Sequence, residues 1–146
     1  SDVLDTSAWA ATHVHLAAAA LLEDHDAEAL GQANRAWQLV KESPDHRGRS
    51  VVLSLLGRCE QRAGRVDQAI AWYEQSLDEA KKSGDVAQRA ESLSYLAVAH
   101  AARGDRPIAD QLAEQARQLY RLVGSREPQR RFEDELAGTQ AQKRGP

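Results

Sequence analysis

The chain has 146 residues, enough for one domain with a core of its own. Its net charge of −3 argues against a nucleic-acid footprint, which needs a strongly basic face. A single cysteine excludes an intramolecular disulfide framework, and a reducing cytoplasm is the expected location. No apolar run reaches the ~18 residues of a membrane span; the longest, Val14 to Leu22, contains His15. Ser1 to Asp5 carry acids and no basic cluster, so no signal peptide is read there. Methionine is absent, at position 1 as elsewhere, so the chain reads as processed or, by preference, as a piece of something longer, and its richness in Ala, Arg, Asp and Gly suggests a high-GC bacterium.

In chain order the pattern predicts helices and no strands. The first spans about Ser7 to Leu22, with Asp5 or Thr6 as N-cap. Glu23-Asp24-His25 make a turn, and Asp26 caps a second helix reaching about Glu42. Ser43-Pro44 breaks the chain, because proline disfavours helix in the residue before it. A third helix runs from Asp45 or His46 to Ala63 and stops at Gly64. A fourth runs from Val66 to Lys82 and stops at Ser83-Gly84. Asp85 opens a fifth, with Gln88 as its capping-box partner, and Gly104 ends it. Asp105 opens a sixth, with Pro107 in its first turn, and Gly124 ends it. Ser125 and Pro128 start a seventh that closes near Gly138.

A 40-residue echo runs through this pattern. Leu56-Gly57, Gly64, Ala69 and Ser76 recur as Leu96-Ala97, Gly104, Ala109 and Ala116, and earlier as Leu16-Ala17, Asp24, Ala29 and Ala36. A second small position holds Ala19, Cys59 and Ala99. Small residues let two helix axes approach while the leucines interlock around them. Tyr73 fills a bulky position that is Ala33 and Ala113 in the flanking units, where Trp37 and Tyr120 are expected to supply the volume. Lys41, Lys81 and Arg121 align in the last turns of the second helices, where a cation meets the negative end of the helix dipole.

Leu53-x2-Leu56-Gly57, Gly64 and Ala69-x3-Tyr73-x2-Ser76 resemble the tetratricopeptide repeat, whose pattern is W-x2-L-G-x2-Y, a glycine turn, then A-x3-F-x2-A. The third unit matches through Leu93-x2-Leu96-Ala97, Gly104, Ala109 and Ala116, and the first through Leu16-Ala17, Ala29 and Ala36. The resemblance covers residues 8 to 124. It implies an all-α, right-handed helical-hairpin solenoid within residues 1–137: repeats at 8–43, 46–83 and 86–124, then a capping helix at 125–137. Residues 138–146 read as a disordered tail. The period exceeds the usual ~34 residues because the helices are longer, as in repeats of bacterial regulatory proteins and kinesin light chains.

The resemblance further implies a non-catalytic protein-interaction module whose first helices line a concave groove. By register, the inward positions include Val14, Ala18, Leu21 and Leu22 in repeat 1. Repeat 2 contributes Ser54, Arg58, Gln61 and Arg62, and repeat 3 contributes Glu91, Ser94 and Val98. Ala11, Val51, Ala101 and Ala102 lie in the same columns. Arg58 and Arg62 stand one turn apart, so both could anchor one carboxylate of a peptide; the blander alternative is a solvated basic face paired with Glu91 or another acid. The asparagine-rich carboxylate clamp of chaperone-binding repeats is not matched, since His15, Leu55 and Tyr95 occupy its polar positions.

The first helix is apolar on nearly every side from Ala8 to Leu22, and a helix apolar all round demands cover. A missing upstream repeat, a second copy of the chain or a partner helix could supply it. His13 and His15 are two apart on a helix and point to different faces, so no metal is expected. Cys59 reads as a small buried residue, and no cofactor is expected. Three readings follow: a peptide- or helix-binding module of a larger bacterial regulator, a homodimerisation module through the first helix, or a small-ligand or pheromone sensor.

Overall fold

The structure is a computed structural model that describes residues 2–144, with side chains from 6 to 139. Seven α-helices follow one another: α1 Asp2–Leu22, α2 Asp26–Val40, α3 His46–Arg62, α4 Val66–Ser83, α5 Val86–Arg103, α6 Arg106–Val123 and α7 Arg126–Arg144. The pairs α1/α2, α3/α4 and α5/α6 are antiparallel hairpins stacked in chain order, and α7 packs across α5 and α6. This is the all-α helical-hairpin solenoid that the repeat implies.

The turns explain the boundaries. Gly64 (φ 82°) and Gly104 (φ 99°) take the left-handed conformation, and Asp24 takes it at φ 60° in the equivalent place. Aspartate is one of the few residues with a side chain that tolerates this region. Asp45 and Asp85 cap their helices by accepting from the backbone N–H of Gly48 (2.9 Å) and Gln88 (3.0 Å). Other expected caps fail. α1 begins before Asp5 and Thr6, so neither is its N-cap. Asp26 lies inside α2, and the Asp105 carboxylate turns to Arg103 instead of a helix N–H. Gln88 makes no capping box; its side chain reaches into the core. α7 also continues past Gly138 to Arg144, where the sequence suggested a disordered tail; Gly145 and Pro146 lie outside the described residues.

The small-residue columns are the seams between helices. Ala17, Ala97, Ala29, Ala69, Ala109, Ala36, Ser76 and Ala116 are all fully buried. Gly57 sits against Tyr73, and a Cβ on it would come within 2.4 Å of the Tyr73 ring. The flanking units hold Ala17 and Ala97 at that column because they face Ala33 and Ala113, which leave room. Repeat 1 departs from the pattern. Leu16 is 44% exposed and Ala19 is exposed, whereas Leu56, Leu96, Cys59 and Ala99 are buried. Trp37 fills volume beside α4 by meeting Trp72 edge-on at 6.3 Å, and Tyr120 packs in the core against Phe132.

The two inter-repeat junctions differ in chemistry. Between repeats 2 and 3, Ser76 bridges Ser50 (3.0 Å), Ser54 (2.7 Å) and Ser92 (2.8 Å), and the Gln88 amide donates to Ser50 at 3.1 Å. The equivalent positions between repeats 1 and 2 are Ala36, Ala10, Val14, Val52 and Gly48, which offer no side-chain hydrogen bonds. α2 is also shorter than α4, 15 residues against 18, because Ser43-Pro44 cuts it off.

Candidate functional site

The first helices of the three hairpins face a groove closed at one end by α7. Three depressions lie along it. A cleft of about 580 Å³ sits between repeats 1 and 2, walled by Ala10, Ala11, Val14, Leu39, Val51 and Val52, with Glu42 and Asp45 at its rim. A central hollow of about 160 Å³ is lined by Val14, Ala18, Val51, Ser54, Arg58, Glu91 and Tyr95. A third, of about 240 Å³, lies beneath α7 and is lined by Arg58, Glu91, Ser94, Tyr95, Tyr120, Arg131 and Glu135. Val14 and Val51 are shared by the first two, and Arg58, Glu91 and Tyr95 by the last two. The groove is therefore continuous, apolar at the N-terminal end and polar beneath α7.

Its centre is preorganised. The Arg58 guanidinium lies 5.6 Å from the centre of the Tyr95 ring. Tyr95 stacks on Tyr73 at 5.4 Å and donates its hydroxyl to Glu91 at 2.9 Å. Tyr73 in turn donates to Gln61 at 2.9 Å, and Tyr120 to Ser94 at 3.1 Å. Burial pushes the phenols of Tyr73 and Tyr95 well above the ordinary range, so both stay neutral donors. Glu135 faces the same space from α7; burial raises its carboxyl, against the pull of Arg58 and Arg131. Among the described residues, neither Arg58 nor Arg131 has a carboxylate within ion-pair distance.

The expected inward positions divide. Val14, Ala18, Ser54, Arg58, Glu91 and Ser94 line the groove. Leu21 is buried inside the first hairpin, Val98 is buried in the core, and Leu22 is 84% exposed and lines no depression. Gln61 acts on the groove only through Tyr73. Arg62 does not join Arg58: it turns to Asp24 and to Asp26 (2.9 Å), bracing α3 against the first turn. Arg103 repeats this brace to Asp67 at 2.9 Å between the next two repeats. Sequence reasoning missed Tyr120, Arg131 and Glu135 as groove residues, since the last two come from a helix read only as a cap. In sequence Tyr95 stands out as a mismatch to the carboxylate clamp, and its spacing of four from Glu91 on one helix is the signal that places it in the groove.

Other polar groups are tied up structurally. His46 meets the buried Glu79 carboxylate at 2.6 Å, with Arg49 at 3.1 Å on its other oxygen. His13 bonds Gln32 at 2.6 Å, and His100 approaches Asp105 at 3.3 Å. Among the described residues, no group of three His, Cys, Asp or Glu side chains is placed to hold a metal ion. Burial pushes the Cys59 thiol up to about 11, which leaves it a poor nucleophile near neutral pH. No described helix is long and apolar enough to cross a membrane.

No curated protein matches the chain significantly. The tetratricopeptide repeat model matches residues 9–82 and again residues 49–122, which are α1–α4 and α3–α6. Repeats of this kind generally mediate protein–protein interaction on a non-catalytic scaffold. With matches that overlap across three stacked hairpins, the chain belongs to the tetratricopeptide repeat family.

Proposed function

We propose that the groove binds a peptide segment of a partner protein, with an acidic group of that peptide held by Arg58. The observation that carries this is the state of Arg58: a cation on the groove floor, oriented by Tyr95 and free of an ion pair among the described residues. A planar guanidinium so placed accepts a carboxylate through paired N–H bonds. Arg131 stands on the same depression and supports the second oxygen or a neighbouring acid. Arg62 plays no part, since its carboxylates are already supplied. The same chemistry suits an arm of a larger bacterial cytoplasmic regulator, with the peptide as its input. An array of immobilised random peptides tests the reading. The intact protein is expected to select acidic peptides, and Arg58→Ala to lose that selection while keeping its fold. Selection without acidic enrichment, or enrichment that survives Arg58→Ala, would overturn it.

A second reading rests on a different surface. Trp9 (61% exposed) and Leu16 (44%), seven residues apart and so on one side of the helix, leave α1 with an uncovered apolar face, which suits self-association of two chains. Leu16→Glu, unlike a change at buried Leu21, probes that face without touching the core. Light scattering that shows a monomer before and after the substitution removes this reading.

A further inference from the structure

We infer that the cleft between repeats 1 and 2 is a second subsite of the same groove, one that takes a bulky apolar side chain of the bound peptide. The inference rests on the peptide reading above and adds the partner's chemistry to it. The cleft arises from side chains that the repeat omits. At the next junction the corresponding space is filled by Ser50 and Gln88, joined at 3.1 Å. Here the same columns hold Ala10 and Gly48. A Cβ on Gly48 would come within 2.4 Å of the Asp45 carboxylate that caps α3, so that carboxylate would have to turn before the space could be refilled. The space of about 580 Å³ is walled by Val14, Val40, Val51 and Val52. It falls in the ~300–1,000 Å³ range of sites that bury an apolar ligand group.

Continuity decides the occupant. Val14 and Val51 belong both to the cleft and to the hollow that leads to Arg58, so a chain held at Arg58 passes the cleft mouth. Val51 and Arg58 are seven residues apart on α3, or about 10 Å at ~1.5 Å per residue. That is about three residues of an extended peptide at ~3.3 Å each. Charge orients the peptide. Glu42 and Asp45 stand at the cleft rim, while Arg47 is committed to Asp85 at 2.8 Å. The rim repels an acid beside the apolar residue; at the other end Glu91 is occupied by the Tyr95 hydroxyl and burial raises the Glu135 carboxyl, so Arg58 and Arg131 attract an acid there. The partner segment therefore carries a bulky aliphatic or aromatic residue at one end and an acid about 10 Å away.

The array just described, repeated with two variants of the full chain, tests this separately from the parent reading. Ala11 is exposed on α1 and lines the cleft, so Ala11→Phe plugs it without entering the core. The unmodified protein is expected to select a bulky apolar residue at a fixed separation from the acid. Ala11→Phe is expected to lose the apolar selection at least tenfold and keep the acidic one; Arg58→Ala is expected to do the reverse. Thermal unfolding followed by circular dichroism establishes that both variants fold, and Ala11→Leu replaces Ala11→Phe if that variant does not. Acidic selection with no apolar preference, or an apolar preference untouched by the plug, overturns the cleft inference and leaves the Arg58 reading standing. Binding of no peptide at all overturns both.

Discussion

Two junctions of one solenoid do opposite things with the same backbone. Between repeats 2 and 3, serines on α3 and α5 converge on Ser76 of α4, and Gln88 completes the network. Between repeats 1 and 2 the same columns are Ala36, Ala10, Val52 and Gly48, and a cleft opens there instead. A polar network in a closed core specifies one stacking geometry, provided every hydroxyl finds a partner. An apolar junction with side chains removed stacks less specifically and leaves surface for another molecule. The difference teaches that a repeat protein can keep its seams constant and place function in the columns that vary.

The largest effect expected is in the middle repeat. Tyr73→Ala removes a fully buried ring on which Tyr95 stacks, and should cost about 3–5 kcal/mol in urea unfolding. It should also free Tyr95 and weaken any ligand held at Arg58. Gly57→Ala forces a Cβ against the same ring and should cost about 1–3 kcal/mol. In the double variant the two losses should not add, because the alanine enters the space the ring has left. Additive losses would show that Gly57 and Tyr73 are not a matched pair.

Next comes the contrast itself. Ser76→Ala leaves the hydroxyls of Ser54 and Ser92 short of a partner and should cost about 1–3 kcal/mol. A loss under ~0.5 kcal/mol would mean that water replaces the network and that the two junctions differ less than their side chains suggest. Arg62→Ala and Arg103→Ala break exposed braces at successive junctions and should each cost under ~1 kcal/mol, less in high salt. A greater cost at Arg62 would show that the apolar junction depends on its brace more than the polar one does.

A pH dependence gives the smallest effect. The backbone N–H of Gln88, and then Arg47, hold the Asp85 carboxyl below its usual value. A carboxyl depressed in the folded state binds its proton more readily when unfolded, so its stabilisation is present above the ordinary carboxylate range and is lost as pH falls through the folded value. Asp85→Asn should therefore flatten the loss of stability between neutral and acid pH. An unchanged slope would show that the cap makes no difference to folding.

Much of the fold was legible because its determinants are local and repeated. Glycine stops, the aspartate cap at Asp85, and small residues in fixed columns each name an element or a seam. Half of the groove was legible for the same reason, since Val14, Ser54 and Ser94 share one column and Ala18 and Arg58 another. The rest depends on contacts between residues far apart in the chain. Arg62 finds Asp26 at a separation of 36 residues, so its neighbour Arg58 loses a companion. Ser50, Ser76 and Ser92 occupy three different columns, and only the stacking brings them together. Arg131 and Glu135 lie on a helix outside the repeat, where no register pointed inward. The pattern for Leu16 failed because repeat 1 has no helix against that face among the described residues.

The most direct test follows the valine and isoleucine methyl groups and the tyrosine rings by nuclear magnetic resonance while a peptide selected on the array is added. Val14, Val51 and Val52, with the ring signals of Tyr95, are expected to shift together, and Val66 and Ile70 on α4 to stay in place. Shifts confined to α4 and α6, with the groove silent, would contradict the account.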